Sequence, residues 1–361
     1  MRPFRQFVVK VHSRCNLACD YCYVYEMADQ RWRTRPRVMS PADVEHTAAR
    51  IAEHADAHGL DGVEVVLHGG EPLLAGPAVV EHVVTAVRSR VPATFSVQTN
   101  GTLLDRPFLE VLRALDVRVG VSLDGDARAT ARHRGDSHAA VRAGLDLLGS
   151  PEFRPLFAGL LCVVDLRNDP VSTYEALLEF GPPTVDFLLP HGNWSTPPPG
   201  RGYADWLIAV FDRWYGAPTR ETGVRLFEEI AHVLLGGRSR VEGIGLSPAL
   251  QVVVETDGMI EQSDILASAF EGAAATGLHV ARDPFDAALR LPDVQARQAG
   301  AASLPAICQA CDLRVVCGGG LRAHRYREGA GFDRPSVYCA DLYRLIGHVR
   351  GRLARDVERV S

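Results

Sequence analysis

Lysine is nearly missing from this chain. Lys10 is the one lysine among 39 basic residues, and the rest are arginine. That bias reads as the base composition of the coding DNA, because either residue serves on a solvated surface. Positive charge is not in excess either, and a net charge of −5 gives no basic field for nucleic acid or an anionic membrane. No run of about 18 apolar residues is present that could span a bilayer. The first residues carry Arg and Pro, where a secretory signal would be apolar. The expected location is therefore cytoplasmic, and in that reducing compartment clustered cysteines mean metal more often than disulfides. Internal repeats and low-complexity tails are also missing.

What is present begins with Cys15, Cys19 and Cys22, which read Cys-x-x-x-Cys-x-Tyr-Cys with Tyr21 between the last two. They follow a short apolar run at residues 7–11. Three thiolates can hold three irons of a four-iron cluster and leave the fourth iron to a ligand that is not protein. An electron carrier ligated only by protein would bring a fourth cysteine. Taken alone, the triplet is also compatible with a zinc site or a redox pair.

A chain of 361 residues has room for one large domain and a smaller one. Up to about residue 189, β-rich runs alternate with amphipathic stretches. Strands are expected at 7–11, 63–68, 95–99, 118–122, 157–165 and 184–189. Helices are expected from Ser40-Pro41 onward and at 77–90, 105–115, 137–148 and 172–180. Ser40 before Pro41 is a good cap and first-turn pair. Such alternation predicts a parallel sheet of βα units, and six units suggest an open, partial barrel. In barrels of this type the chemistry sits at the C-terminal ends of the strands. The segment 192–202, with Pro197-Pro198-Pro199, reads as a linker. Helices are expected at 203–215 and 220–235, then a hairpin of 251–255 and 259–262 around Asp257-Gly258. The expected organisation is a core at 1–195, a linker and helical segment at 196–245, and a second metal-bearing module at 246–361.

Beyond the cysteines, Gly69-Gly70-Glu71-Pro72 follows the second strand, Gln98-Thr99-Asn100-Gly101 the third and Ser122-Leu123-Asp124-Gly125 the fourth. With the cysteine motif, these segments resemble the radical S-adenosylmethionine (SAM) superfamily, and in particular its peptide-modifying branch. The resemblance implies a partial (β/α)6 barrel in which a 4Fe–4S cluster on Cys15, Cys19 and Cys22 chelates SAM. It implies SAM contacts from Tyr21, Gly69, Gly70, Glu71, Asn100, Ser122 and Arg134. Glu71 would accept from the ammonium group, and Arg134 would meet the carboxylate. Reductive cleavage of SAM would then give a 5′-deoxyadenosyl radical, chemistry that belongs to the cofactor pair.

The last hundred residues hold Cys308, Cys311, Cys317 and Cys339, with Gly318-Gly319-Gly320 after the third. This pattern resembles the SPASM extension, which carries auxiliary iron–sulfur clusters. Where that extension has a Gly-x4-Cys element, this chain has Gly258 followed by Ser263, and Leu321 stands at a further cysteine position. One auxiliary 4Fe–4S cluster with four protein ligands is the expectation, and a tetrahedral zinc site is the alternative. Asp264 follows Ser263 and matches a catalytic base of sulfatase-maturing relatives; a solvated hairpin carboxylate is the plainer reading. Cys162, inside an apolar run, reads as core.

Segments 4–26, 67–74 and 186–194 resemble the FxsB-type maturases. That resemblance implies a cyclophane-forming enzyme acting on a ribosomal precursor peptide, with an external donor such as flavodoxin or ferredoxin. A side-chain β-hydrogen would be removed and a C–C bond made to an aromatic ring. A thioether or formylglycine product, or a non-catalytic zinc-stabilised binding module, are the alternatives.

Overall fold

The structure is a computed structural model and describes residues 1–360. The first elements are β1 (Gln6–His12), α1 (Pro41–Ala57), β2 (Val63–Gly69), α2 (Pro77–Arg88), β3 (Ala93–Thr99) and α3 (Arg106–Ala114). They are followed by β4 (Val117–Ser122), α4 (Ala127–Arg134), α5 (His138–Leu148), β5 (Phe157–Val163), α6 (Pro170–Leu178) and β6 (Thr184–Leu188). Next come α7 (Tyr203–Tyr215), β7 (Gly223–Val224), α8 (Arg225–Leu234), β8 (Gln251–Val254), β9 (Met259–Glu261) and β10 (Ala275–His279). The last elements are α9 (Phe285–Leu289), α10 (Pro292–Gln298), α11 (Ala306–Gln309), α12 (Arg314–Cys317) and α13 (Cys339–Val360). All six strands read from the sequence lie where expected, to within about two residues. The helix α4 was not expected, because Ala127–Arg134 is mostly polar and shows no apolar stripe.

The protein divides into two compact units. The first comprises residues 1–123, 127–160 and 250–295; the second comprises 124–126, 161–249 and 296–361. The stretch 246–361, read from the sequence as one module, is thus shared between them. In the first unit β2, β3 and β4 follow β1 in order, all parallel. On the other edge of β1 lies β8, also parallel, pairing Gln6 with Gln251 and Val9 with Val254. The hairpin expected around Asp257-Gly258 is present, with β9 antiparallel to β8 and β10 antiparallel to β9.

A parallel strand in mid-sheet is covered on both faces and becomes apolar along its length. Accordingly Phe7, Val8, Val9 and Val11 of β1 are all buried. Helix α1 starts at Ser40, whose Oγ accepts from the Asp43 amide at 3.1 Å, and buries Val44, Ala48 and Ile51. The same logic of caps recurs at Asp105 for α3 and, in the second unit, at Asp169 for α6. The second unit pairs β6 with β7 in parallel and buries Phe211, Phe227 and Ile230 on α7 and α8. Cys162 is fully buried, as expected of a core residue. Among the described residues, no helix is long and apolar enough to cross a membrane.

Ile51 has no exposed surface, so truncation leaves a cavity. Ile51→Ala is expected to cost about 2–5 kcal/mol, read from the urea midpoint at unchanged slope.

Candidate active site and auxiliary metal centre

The three N-terminal cysteines lie just beyond the C-terminal end of β1, the position that a parallel sheet reserves for chemistry. Their loop is pinned by Arg14, which donates to the carbonyls of Trp32 at 2.8 Å and Arg33 at 3.1 Å. Ser13 Oγ donates to the Pro36 carbonyl at 2.7 Å, and the Tyr25 hydroxyl donates to the Ser13 carbonyl at 3.0 Å. Burial pushes the Cys15 and Cys22 thiols upward, so a cation is needed to keep both as thiolates.

Gly69 and Gly70 exist for this loop. A Cβ at Gly69 would lie 2.1 Å from the His12 carbonyl, and one at Gly70 1.8 Å from the Tyr25 hydroxyl. The Gly70 and Glu71 amides donate to the His12 and Arg14 carbonyls, each at 2.9 Å. Glycine therefore lets the end of β2 close on the cysteine loop. Glu71 is fully buried, and its carboxylate accepts from Leu73 N at 2.9 Å, Thr99 Oγ1 at 2.7 Å and Asn100 N at 2.7 Å. It joins the ends of β2 and β3.

Asn100 reaches the cysteine loop from β3: its Nδ2 donates to Asn16 Oδ1 at 2.9 Å and to Cys15 Sγ at 3.6 Å. A donor on a ligating sulfur tunes a cluster's potential. Ser122 Oγ accepts from Gln98 Nε2 at 3.0 Å, which places both at neighbouring strand ends. Arg134, 8% exposed, lies over the Tyr21 ring at 5.6 Å, so α4 ends against the cysteine loop.

Asp264 is no solvated hairpin carboxylate. It is 8% exposed, and its Oδ2 accepts from the Tyr23 hydroxyl at 2.5 Å. Lys10 Nζ and His68 Nδ1 each stand 3.9 Å away. Burial pulls the His68 pKa down and favours the neutral ring. Lys10 also pairs with Glu255 at 2.7 Å; burial opposes its charge, but Glu255, Asp264 and Glu261 outweigh that and raise its pKa. Arg35 bridges Glu255 at 2.7 Å and Glu261 at 2.5 Å, and Arg31 meets Glu261 at 2.8 Å. Ser263 is fully buried and accepts from Gln251 Nε2 at 2.9 Å. The sequence reading missed Tyr23 and took Lys10 for coding bias. The available signal for Lys10 was a lone lysine inside a strand of buried residues.

In the second unit, Cys308, Cys311, Cys317 and Cys339 line one cavity of about 270 Å³ together with Ile307, Leu313 and Tyr343. Burial raises the Cys317 thiol to about 11. Tetrahedral zinc, with Zn–S near 2.3 Å, draws thiolates to about 3.8 Å from one another. Among the described residues, no three cysteine sulfurs lie within 4.8 Å of one another. The open, sulfur-lined cavity fits a four-iron cluster better than a single ion. Arg325 supports this. It is 6% exposed, its Nε and Nη1 have no hydrogen-bond partner, and its nearest charges include Cys308 and Cys317. A buried guanidinium needs an anion, and a cluster held by four thiolates is anionic.

Replacing Arg325 by Gln removes that positive charge. The auxiliary site should keep about four irons and shift its midpoint potential to more negative values in an EPR-monitored redox titration. An unchanged potential would mean that the guanidinium does not act on the cluster.

The family model of the Radical SAM superfamily matches residues 9–165. Curated relatives include the cysteine-type anaerobic sulfatase-maturating enzyme of Clostridium perfringens (strain 13), 26% identical over 73% of this chain and 75% of that protein. The serine-type anaerobic sulfatase-maturating enzyme of Klebsiella aerogenes is 26% identical over 96% of this chain and 85% of its own length. Among solved structures, native anSMEcpe with bound AdoMet superposes with a TM-score of 0.82 at 21% identity, covering 98% of this chain and 99% of that one. Streptococcus suis SuiB bound to precursor peptide SuiA gives 0.64 at 14% identity, covering 93% of this chain and 76% of SuiB. These likenesses establish the fold. The cysteine motif at the end of β1 lies within the residues 9–165 that match the Radical SAM model, and the protein is an enzyme with 4Fe–4S and SAM as cofactors.

Proposed function

We propose that this enzyme modifies a ribosomal precursor peptide by oxidising one residue at its β-carbon and joining that carbon to an aromatic ring. One observation carries the reading: Tyr23, the residue after the cluster ligand Cys22, holds the buried carboxylate of Asp264. A proton acceptor is thus tied directly to the cysteine loop. When bound, the first cluster and SAM supply a hydrogen-abstracting radical, and the auxiliary cluster on Cys308, Cys311, Cys317 and Cys339 supplies an electron sink.

The protein's own residues do the rest. Glu71, Asn100, Ser122 and Arg134, with Tyr21 and the Gly69–Gly70 turn, hold SAM at the rim of β2–β4. Asp264 takes the proton released on rearomatisation, oriented by Tyr23 with Lys10 close by. The balance closes: one β-carbon C–H and one ring C–H are lost and one C–C bond forms. One hydrogen leaves as an atom, the other as a proton and an electron. An external reductant, of the flavodoxin or ferredoxin class, supplies the electron that starts each turnover.

A second reading, formylglycine formation, is favoured by the sulfatase-maturating relatives. A crosslinked product is lighter by two hydrogens, lacks one aromatic proton and does not react with hydrazides. A formylglycine product keeps every aromatic proton and reacts. Mass spectrometry and NMR of the peptide encoded beside the gene decide between them.

Reconstituted protein should hold about eight irons, and changing Cys15, Cys19 and Cys22 together to Ala should leave about four and abolish SAM cleavage. Stoichiometric zinc in place of iron at the cysteines would remove the reading altogether. Asp264→Asn keeps size and polarity but removes the proton acceptor. Iron content and 5′-deoxyadenosine formation should persist, while peptide product falls by about 10²-fold or more. Product at the wild-type rate would leave Asp264 without a catalytic role.

A further inference from the structure

Among the described residues, one group of side chains outside the cysteines converges as metal ligands do. His54 on α1 and His58, the residue that caps its C-terminus, are four apart and share a face. Asp286 comes to them from the first turn of α9. His54 Nδ1 and His58 Nε2 both address the same oxygen, Asp286 Oδ1, at 2.6 Å and 3.0 Å. The three donor atoms lie within 4.8 Å of one another.

The group is rigid on one side and open on the other. The His54 side chain is 1% exposed, and its ring is fixed by Phe4, Phe7 and Phe285, whose centroids lie 5.7, 5.9 and 6.2 Å away. Its second nitrogen, Nε2, has no hydrogen-bond partner, so packing and the Nδ1 contact to Asp286 set the ring. His58 and Asp286 keep 28% and 34% of their side chains exposed, which leaves room for a water ligand. Burial lowers the His54 pKa, and the neutral ring is the form that binds metal.

We infer that His54, His58 and Asp286 form a structural site for a zinc-class divalent cation, separate from the iron–sulfur cysteines. Two imidazoles and one carboxylate suit zinc and its late first-row neighbours, whereas calcium and magnesium prefer oxygen. Bonds near 2.0–2.1 Å hold tetrahedral donors about 3.3 Å apart. Asp286 Oδ1, now 2.6 Å and 3.0 Å from the two imidazole nitrogens, therefore needs to move away by about 0.7 Å and about 0.3 Å, which its half-exposed side chain can supply. The site also has a mechanical use. Arg50 on α1 already donates to the Val280 carbonyl at 3.0 Å, just past β10. A cation between α1 and α9 would add a second clamp on the segment that carries Asp264.

The test uses iron-loaded holoenzyme and zinc chloride. Wild type should bind one zinc more per chain than His58→Ala in calorimetry, and zinc should raise the melting temperature of wild type only. Asp286→Asn should behave as His58→Ala does, and all three should carry the same iron, because none of the changes touches a cysteine. Equal zinc uptake by wild type and both variants, or no uptake by wild type, overturns the inference. Neither result bears on the peptide chemistry proposed above.

Discussion

The buried pair of Lys10 and Glu255 is the contact on which the first unit's site depends. At 2.7 Å, with side chains 7% and 2% exposed, it joins β1 to the end of β8 inside the protein. Removing one partner of such a pair costs about 3–5 kcal/mol, because the other charge is left buried alone. Here the pair is also the centre of a lattice. Arg35 and Arg31, which follow the cysteine loop, reach Glu255 and Glu261 on the β8–β9 hairpin. The loop that carries Cys15, Cys19 and Cys22 and the hairpin that carries Asp264 are therefore held by one set of alternating charges.

That lattice explains what the sequence could and could not convey. The six strands were legible because each is a local apolar run punctuated by turn residues. The cysteines were legible because their spacing is a chemical requirement. Lys10 and Tyr23 were not, since their meaning lies in a carboxylate some 240 positions further along. The insertion of β8 beside β1 is equally non-local: nothing in Gln251–Val254 states that its neighbour is Gln6–Val9. The glycine pair was recognised, and the structure gives it a packing purpose that the sequence does not state. It lets backbone meet backbone at His12 and Arg14, and brings the Tyr25 hydroxyl close.

Residue 263 and the four C-terminal cysteines have taken different paths. At residue 263 the serine hydroxyl accepts from Gln251 and is sealed in the hairpin, so a neutral hydrogen bond does what a metal–sulfur bond would otherwise do. At 308, 311, 317 and 339 the sulfurs surround an open cavity instead. Four thiol donors thus gather in the second unit and none stands at residue 263. The Asp264 segment is left to hydrogen bonds and ion pairs.

The lone lysine has a practical side. Its ammonium is 6% exposed as a residue, paired with Glu255, and held in the protonated form, which is not a nucleophile. Every other strongly basic residue is an arginine, whose guanidinium does not react with acylating esters at neutral pH. The folded protein thus presents no accessible lysine amine to acetyl donors, amine-directed crosslinkers or ubiquitin-type conjugation. Labelling or tethering it through side chains has to use other chemistry.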